Sequence, residues 1–147
     1  MELDQALEFI GDKRQGILIT QKANGRPQSS NIVYAVGDDG VIRISVVDGR
    51  AKAANVRRSG TASLHVNRDD FRAYAVIEAD ATAMPVASDP HDATVEALIE
   101  YYRTLSGEHD DWDDYRRALV AAGRLLPELH PTHAYGVRGA RPVGALA

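Results

Sequence analysis

GILITQKANGRPQSSNIVYAV (16–36) reads as two β-rich runs folded back on one another. GILIT (16–20) is the outgoing strand and PQSSNIVYAV (27–36) the return. Asn24-Gly25 in the ANGRP connection (23–27) is a hairpin signal, because both residues tolerate positive φ. Downstream, GDDG (37–40) is another tight turn. VIRISVV (41–47) then alternates, with Ile42, Ile44 and Val46 on one face and Arg43, Ser45 and Val47 on the other. TASLHVN (61–67) alternates again, with Ala62, Leu64 and Val66 facing the core. RDD (68–70) turns the chain, and FRAYAVIEADATAMPV (71–86) predicts a long strand, bent or bulged. Hairpins at this density imply an antiparallel sheet closing into a barrel rather than a parallel α/β sheet.

Helices flank that sheet. Leu3, Leu7 and Ile10 predict a short helix over 3–13. Val95, Leu98, Ile99, Tyr102 and Leu105 form an apolar stripe ended by Gly107, and a second helix over 111–121 stops at Gly123. RLLPELHPTHAYGV (124–137) is a last strand whose prolines suit a bent edge position. The expectation is a mostly β, α+β barrel forming one domain over 1–147.

Composition narrows the function classes. A net charge of −4 argues against general nucleic-acid binding and leaves room for a local basic patch. With no cysteine there is no disulfide framework and no thiolate metal site. The N-terminus has no signal-peptide pattern and no apolar run reaches membrane-spanning length, so a cytoplasmic protein with no membrane partner is expected. Dinucleotide-binding GxGxxG, Walker A, HExxH and GxSxG patterns are all absent. No metal set emerges from the five histidines: His130 and His133 stand three apart on a strand, which predicts opposite faces. The acids of EHDDWDD (108–114) suit a helix N-terminus, with Trp112 as a packing anchor.

One stretch remains, VVDGRAKAANVRRSG (46–60). Taken as a short helix, it places Arg50 and Lys52 at the end where backbone N–H groups are free, which is a phosphate-binding arrangement. Gly49 lets the chain turn there, Asn55 faces the same ligand or the backbone, and Arg57 and Arg58 suit the helix C-terminus. The stretch reads equally as a solvated basic helix. Its neighbours favour phosphate. Ser45 and Val47 lead into Arg50, and Gln28, Ser30 and Asn31 make the hairpin strand rich in amides and hydroxyls. Such groups beside a phosphate site suit a planar heteroaromatic cofactor.

NGRPQSSNIVY (24–34), ISVVDGRAKAANVRRSGTASLHV (44–66), YAVIEADA (74–81) and HDDWDDYRRALV (109–120) together resemble the flavin/deazaflavin oxidoreductases of the pyridoxamine 5′-phosphate oxidase superfamily. The likeness is to the actinobacterial branch that uses coenzyme F-420. It implies an FMN-binding split β-barrel and a homodimer with cofactor sites at the subunit interface. Arg50 and Lys52, with the Ala51 backbone, match the phosphate-binding positions. Ser45, Val46 and Val47 match the strand under the ring system, and Gln28, Ser30, Asn31 and Asn55 its polar surroundings. Residues 71–74 of the second subunit would close the site. The resemblance assigns no catalytic residue, since the cofactor carries the chemistry: hydride transfer between deazaflavin C5 and a small unsaturated substrate. It leaves three alternatives: an FMN-dependent pyridoxamine 5′-phosphate oxidase, a non-catalytic deazaflavin carrier, and a haem-binding relative, for which no His ligand stands out.

Overall fold

A computed structural model describes residues 1–139. Helix α1 (Leu3–Gly11) leads into the hairpin of β1 (Gln15–Gln21) and β2 (Pro27–Val33). Short strands β3 (Ala35–Val36), β4 (Ile42–Arg43) and β5 (Val46–Val47) precede helix α2 (Ala51–Ser59). Next come β6 (Thr61–Asn67), β7 (Tyr74–Ala83), helices α3 (Ala93–Ser106) and α4 (Trp112–Ala122), and finally β8 (Arg124–Leu125) and β9 (Pro127–Val137). Every strand pairing is antiparallel.

The hairpin that sets the pattern pairs Gln21 with Pro27 across a five-residue connection. Gly25 alone takes positive φ there, at 84°. Asn24 acts instead through its side chain, whose Oδ1 accepts from the Arg26 N–H at 3.0 Å.

Seven strands run in the order β2-β1-β6-β7-β9-β4-β3, so the two edge strands are β2 and β3. Only Tyr34 separates them in sequence. Consecutive Cα atoms are about 3.8 Å apart, so the two edges must lie close and the sheet must roll up. The predicted return strand 27–36 is therefore two strands, broken where the chain passes from one edge to the other. Tyr34 is buried at that passage, and its hydroxyl donates to the Ile10 carbonyl of α1 at 2.7 Å. Burial raises its pKa, so the phenol stays a neutral donor.

The rolled interior holds Leu18, Ile42, Leu64, Ile77 and Leu129, all fully buried, with Ala6 and Ile10 of α1 and Ala53 and Val56 of α2. Ala62, Leu64 and Val66 face inward as the alternation predicts. A second apolar cluster under α3 and α4 gathers Val95, Leu98, Ile99, Leu119 and Leu126. Trp112 packs there, edge-on to Tyr102 and Tyr115 at 5.7 Å each, rather than on the barrel. Asp111 caps α4 by accepting from the Asp114 N–H, as its acidic start suggests.

Three strand expectations need correction. The run 41–47 is interrupted at Ile44 and Ser45, yet β4 and β5 keep one register against 124–129, pairing Ile42 with Leu129 and Val47 with Arg124. The long strand begins at Tyr74, and its irregularity lies on the partner: Glu78 pairs with His133 and Ala79 with Pro131, leaving Thr132 bulged. That bulge also puts His130, opposite Asp80, on the same outward face as His133. Both are exposed, and no group of three or more His, Cys, Asp or Glu able to hold a metal exists among the described residues. Finally, β9 is not an edge strand at its start, where it lies between β7 and β4. Pro127 is its first residue, and Pro131 falls beyond the Leu129 pairing with β4, so neither removes a needed donor.

Tyr34→Phe is expected to cost about 1 kcal/mol, and Tyr34→Ala about 3–5 kcal/mol. Urea unfolding of both variants checks this; equal losses would contradict the packing role of the ring.

Candidate functional site

The rolled sheet leaves a seam. The Tyr34 N–H bonds back to Arg14, so even-numbered residues of β2 face β1. Antiparallel alternation then turns the main-chain groups of Asn31 and Val33 to the open side. Across the seam the Ile44 N–H bonds to Pro127, which turns the main chain of Ser45 and Val47 away from β8 and β9. Two half-empty strand edges thus face the same opening. Tyr101 of α3 spans it. Its hydroxyl donates to the Val33 carbonyl at 2.9 Å, with the Ser45 backbone close by on the other side. Burial raises the Tyr101 pKa, with the Ser45 contact and Arg124 opposing.

Around this seam lies a cavity of about 560 Å³, a size suited to one small organic ligand. Asn31, Ser45 and Lys52 come together on its wall, joined by Tyr101, Tyr102, Tyr115 and Arg124.

Helix α2 ends at the same place. Gly49 has φ 86°, which a side chain would strain, and turns the chain into the helix. The other helices have their first turns satisfied. Asp92 accepts from Val95 in α3, Asp111 from Asp114 in α4, and the Gln5 side chain accepts from the Glu2 N–H in α1. Helix α2 has neither a side-chain cap nor an acid in its first turn. Its free N–H groups and the macrodipole face outward beside Arg50 and Lys52. Neither cation makes an ion pair or side-chain hydrogen bond among the described residues.

The far end of α2 is occupied differently. Arg57 pairs with Asp48 at 3.0 Å. Arg58 bonds the Gln21 carbonyl and, at 2.9 Å, Asn55 Oδ1. Asn55 is buried and donates to Thr20 Oγ1 at 3.1 Å and Gln28 Oε1 at 3.2 Å. This knot ties α2 to the hairpin, so the Asn55 amide is committed to the protein itself. Gln28 stands in the same knot. Ser30 shares its inward-leaning face, whereas Asn31 is on the opposite face of β2. Val46 is buried and its main chain faces Leu125 of β8, so neither its side chain nor its backbone is turned to the opening, while Val47 is half-buried and Ala51 exposed beside the open helix end.

The family profile of pyridoxamine 5′-phosphate oxidase matches residues 3–137. The chain belongs to that family. The fold is its split barrel, an antiparallel curled sheet flanked by helices. Solved structures agree. An F420 reductase aligns with TM-score 0.62 at 19% identity, covering 87% of this chain and 94% of that one. The haem storage protein of Vibrio cholerae gives TM-score 0.68 at 16% identity, with 94% and 95% covered. An FMN-binding protein related to pyridoxamine 5′-phosphate oxidase from Nostoc punctiforme gives 0.60 at 14%, with 92% and 79% covered.

Sequence reasoning missed Arg124 and the three tyrosines. Arg124 is 74 residues from Arg50 in sequence and joins the site only through its register opposite Val47. Of these tyrosines, Tyr102 stood in the predicted helical stripe, but a stripe does not reveal which strand edge it covers.

Asn55→Ala is expected to cost about 1–3 kcal/mol, because it leaves buried partners unsatisfied. Arg50→Ala and Lys52→Ala should stay within about 0.5 kcal/mol of the parent. Denaturant titration separates the two groups, and a large loss in Lys52→Ala would mark it as structural.

Proposed function

We propose that the protein is an oxidoreductase that binds coenzyme F-420, with the phosphate at the start of α2 and the deazaflavin ring in the seam. The observation that carries this reading is the uncapped first turn of α2 with two cations beside it that have no ion pair among the described residues. The donor set fits the group. Arg50, Lys52 and the Ala51 N–H suit a phosphate, while Asn31 and the Ser45 and Val47 main chain offer donors and acceptors to a heteroaromatic edge. Held there in its reduced form, a deazaflavin would supply a hydride from C5 to an unsaturated substrate. The protein's part is to hold and orient. Lys52 and Arg50 fix the anionic end, β5 supports the ring, and α3 and α4 shield one side from water. Within a Debye length of about 8 Å these cations outweigh the net negative charge, so an acidic protein can still hold an anionic coenzyme.

A second reading, FMN in the same place, is favoured by the phosphate cradle, which both cofactors would use alike, and by the likeness to the FMN-binding Nostoc protein. Storage of the coenzyme without turnover is the non-enzymatic form of the first reading.

The outer face of the sheet supports a homodimer. Val33, Tyr135 and Val137 are large exposed apolar residues on that face. Phe71, at the turn before β7, is 80% exposed and has φ 66°. A non-glycine residue there carries strain of about 1–3 kcal/mol, and insertion into a second copy's site would give that strain a use.

Parallel fluorescence titrations with oxidised F-420 and FMN test the cofactor. Arg50→Ala and Lys52→Ala should each weaken F-420 about tenfold, the worth of one charge-assisted contact. Unchanged affinity in both would remove the cradle, and tighter FMN binding would replace the deazaflavin. Turnover of reduced F-420 against quinones and enones separates enzyme from carrier.

Sedimentation tests the dimer. Tyr135→Glu is expected to yield monomer with weakened cofactor binding. A dimer unaffected by that charge would place the interface elsewhere.

A further inference from the structure

Arg124 is the cation that the phosphate cradle does not use. Its pairing with Val47 puts it on the face shared by Ser45 and Val47, while its neighbour Leu125 is buried opposite Val46. The side chain lines the seam cavity together with Lys52. Several arginines of this acidic chain meet a carboxylate: Arg43 with Asp39 and Glu128, Arg57 with Asp48, Arg103 with Glu100 and Glu108, Arg116 with Glu96. Arg124 makes no ion pair and no side-chain hydrogen bond among the described residues. No Asp or Glu lines the cavity, although the chain has 21 of them. Two cations on an acid-free, partly enclosed wall create a local positive potential.

The rest of the wall is aromatic. Tyr101, Tyr102 and Tyr115 line it, with the Tyr102 and Tyr115 ring centres 4.9 Å apart. Burial raises the pKa of both Tyr101 and Tyr115, and the nearby Arg124 charge works against it in each. The guanidinium therefore sits beside the Tyr101 and Tyr115 phenols, with no carboxylate among the described residues lining the cavity to pair with it.

We propose that Arg124 is a substrate-binding residue that selects flat, conjugated molecules bearing a carboxylate. The proposal rests on the reading of this cavity as a cofactor and substrate site. Arg50 and Lys52 at the helix start serve one phosphate, which leaves Arg124, on the ring side of that cradle, for a second anion. Its planar fork matches a carboxylate with two parallel N–H···O bonds. The tyrosine faces suit a conjugated body.

The test compares naphthalene-2-carboxylate with the neutral naphthalene-2-carboxamide, titrated into the F-420-loaded and cofactor-free protein by calorimetry. In the loaded parent protein the acid should bind about tenfold more tightly than the amide, the effect of one charge-assisted contact. Arg124→Gln should abolish the preference while leaving F-420 affinity within about twofold. Arg124→Lys, which keeps the charge, should retain part of the preference and guards against misfolding. Equal binding of acid and amide to the parent, failure of both to bind, or a preference surviving in Arg124→Gln would overturn the proposal. Loss of F-420 affinity in Arg124→Gln with the acid preference intact would assign Arg124 to the cofactor's own anionic groups and overturn the substrate assignment. Should the parent bind neither F-420 nor FMN, the cofactor reading falls by itself. The acid-against-amide comparison on the cofactor-free protein then still decides for or against Arg124.

Discussion

The structure depends on a one-residue link. Tyr34 joins β2 to β3, and these are the two edges of a seven-stranded sheet. A flat sheet of that width cannot have edges a few ångströms apart, so the chain must roll. The rolling has two consequences. It creates the enclosed interior that buries Leu18, Leu64 and Ile77, the largest favourable contribution to folding. It also leaves a seam where Asn31 and Ser45 turn unpaired main-chain groups toward the same opening. Unpaired edges normally invite another strand. Here the Tyr101 hydroxyl spans the seam, and a polar opening with few strand partners becomes a place for a ligand.

Charge is sorted along one nine-residue helix. At the C-terminal end of α2, Arg57 and Arg58 are spent on Asp48, Asn55 and the Gln21 carbonyl. At the N-terminal end, Arg50 and Lys52 have no such partners among the described residues. The exposed Arg57–Asp48 pair contributes little stability, yet it keeps Asp48 turned to the far end of the helix. Were Asp48 to cap α2 instead, as Asp92 caps α3, it would fill the amides that an anion needs. The pairing thus protects the open first turn, and the Arg57 guanidinium beside Asp48 holds its carboxyl below the usual range.

Local signals in the sequence were legible where local physics decides. The Gly25 turn, the alternation of 61–67 and the stripe of α3 each depend on neighbours a few residues apart, and each stands in the fold. Long-range placement was not legible. The prolines of 124–137 suggested an edge, but they are tolerated because β4 covers only the first residues of β9. His130 and His133 were assigned opposite faces because the Thr132 bulge has no sequence signature of its own. Asn55 looked like a ligand group since nothing in the sequence shows that Thr20 and Gln28 lie within reach. Arg124 was invisible for the same reason, being brought in by strand register.

The same barrel carries proteins named for F420, haem and FMN, each under 20% identical to this chain. The fold is shared by all of them, so it cannot by itself choose among these ligands. Choice falls to side chains at the rim of the seam. Haem iron needs an axial ligand, a role filled by His, Cys, Met or Tyr side chains, and among the described residues lining this cavity the tyrosines are the ones of those types. Two anion-seeking cations, an uncapped helix start and an acid-free aromatic wall favour a ligand with a phosphate at one end and a flat polar ring at the other. Between deazaflavin and flavin the cradle is indifferent, because both present it with a phosphate; the distinction lies in the atoms at the ring, where Asn31, Ser45 and Tyr101 stand.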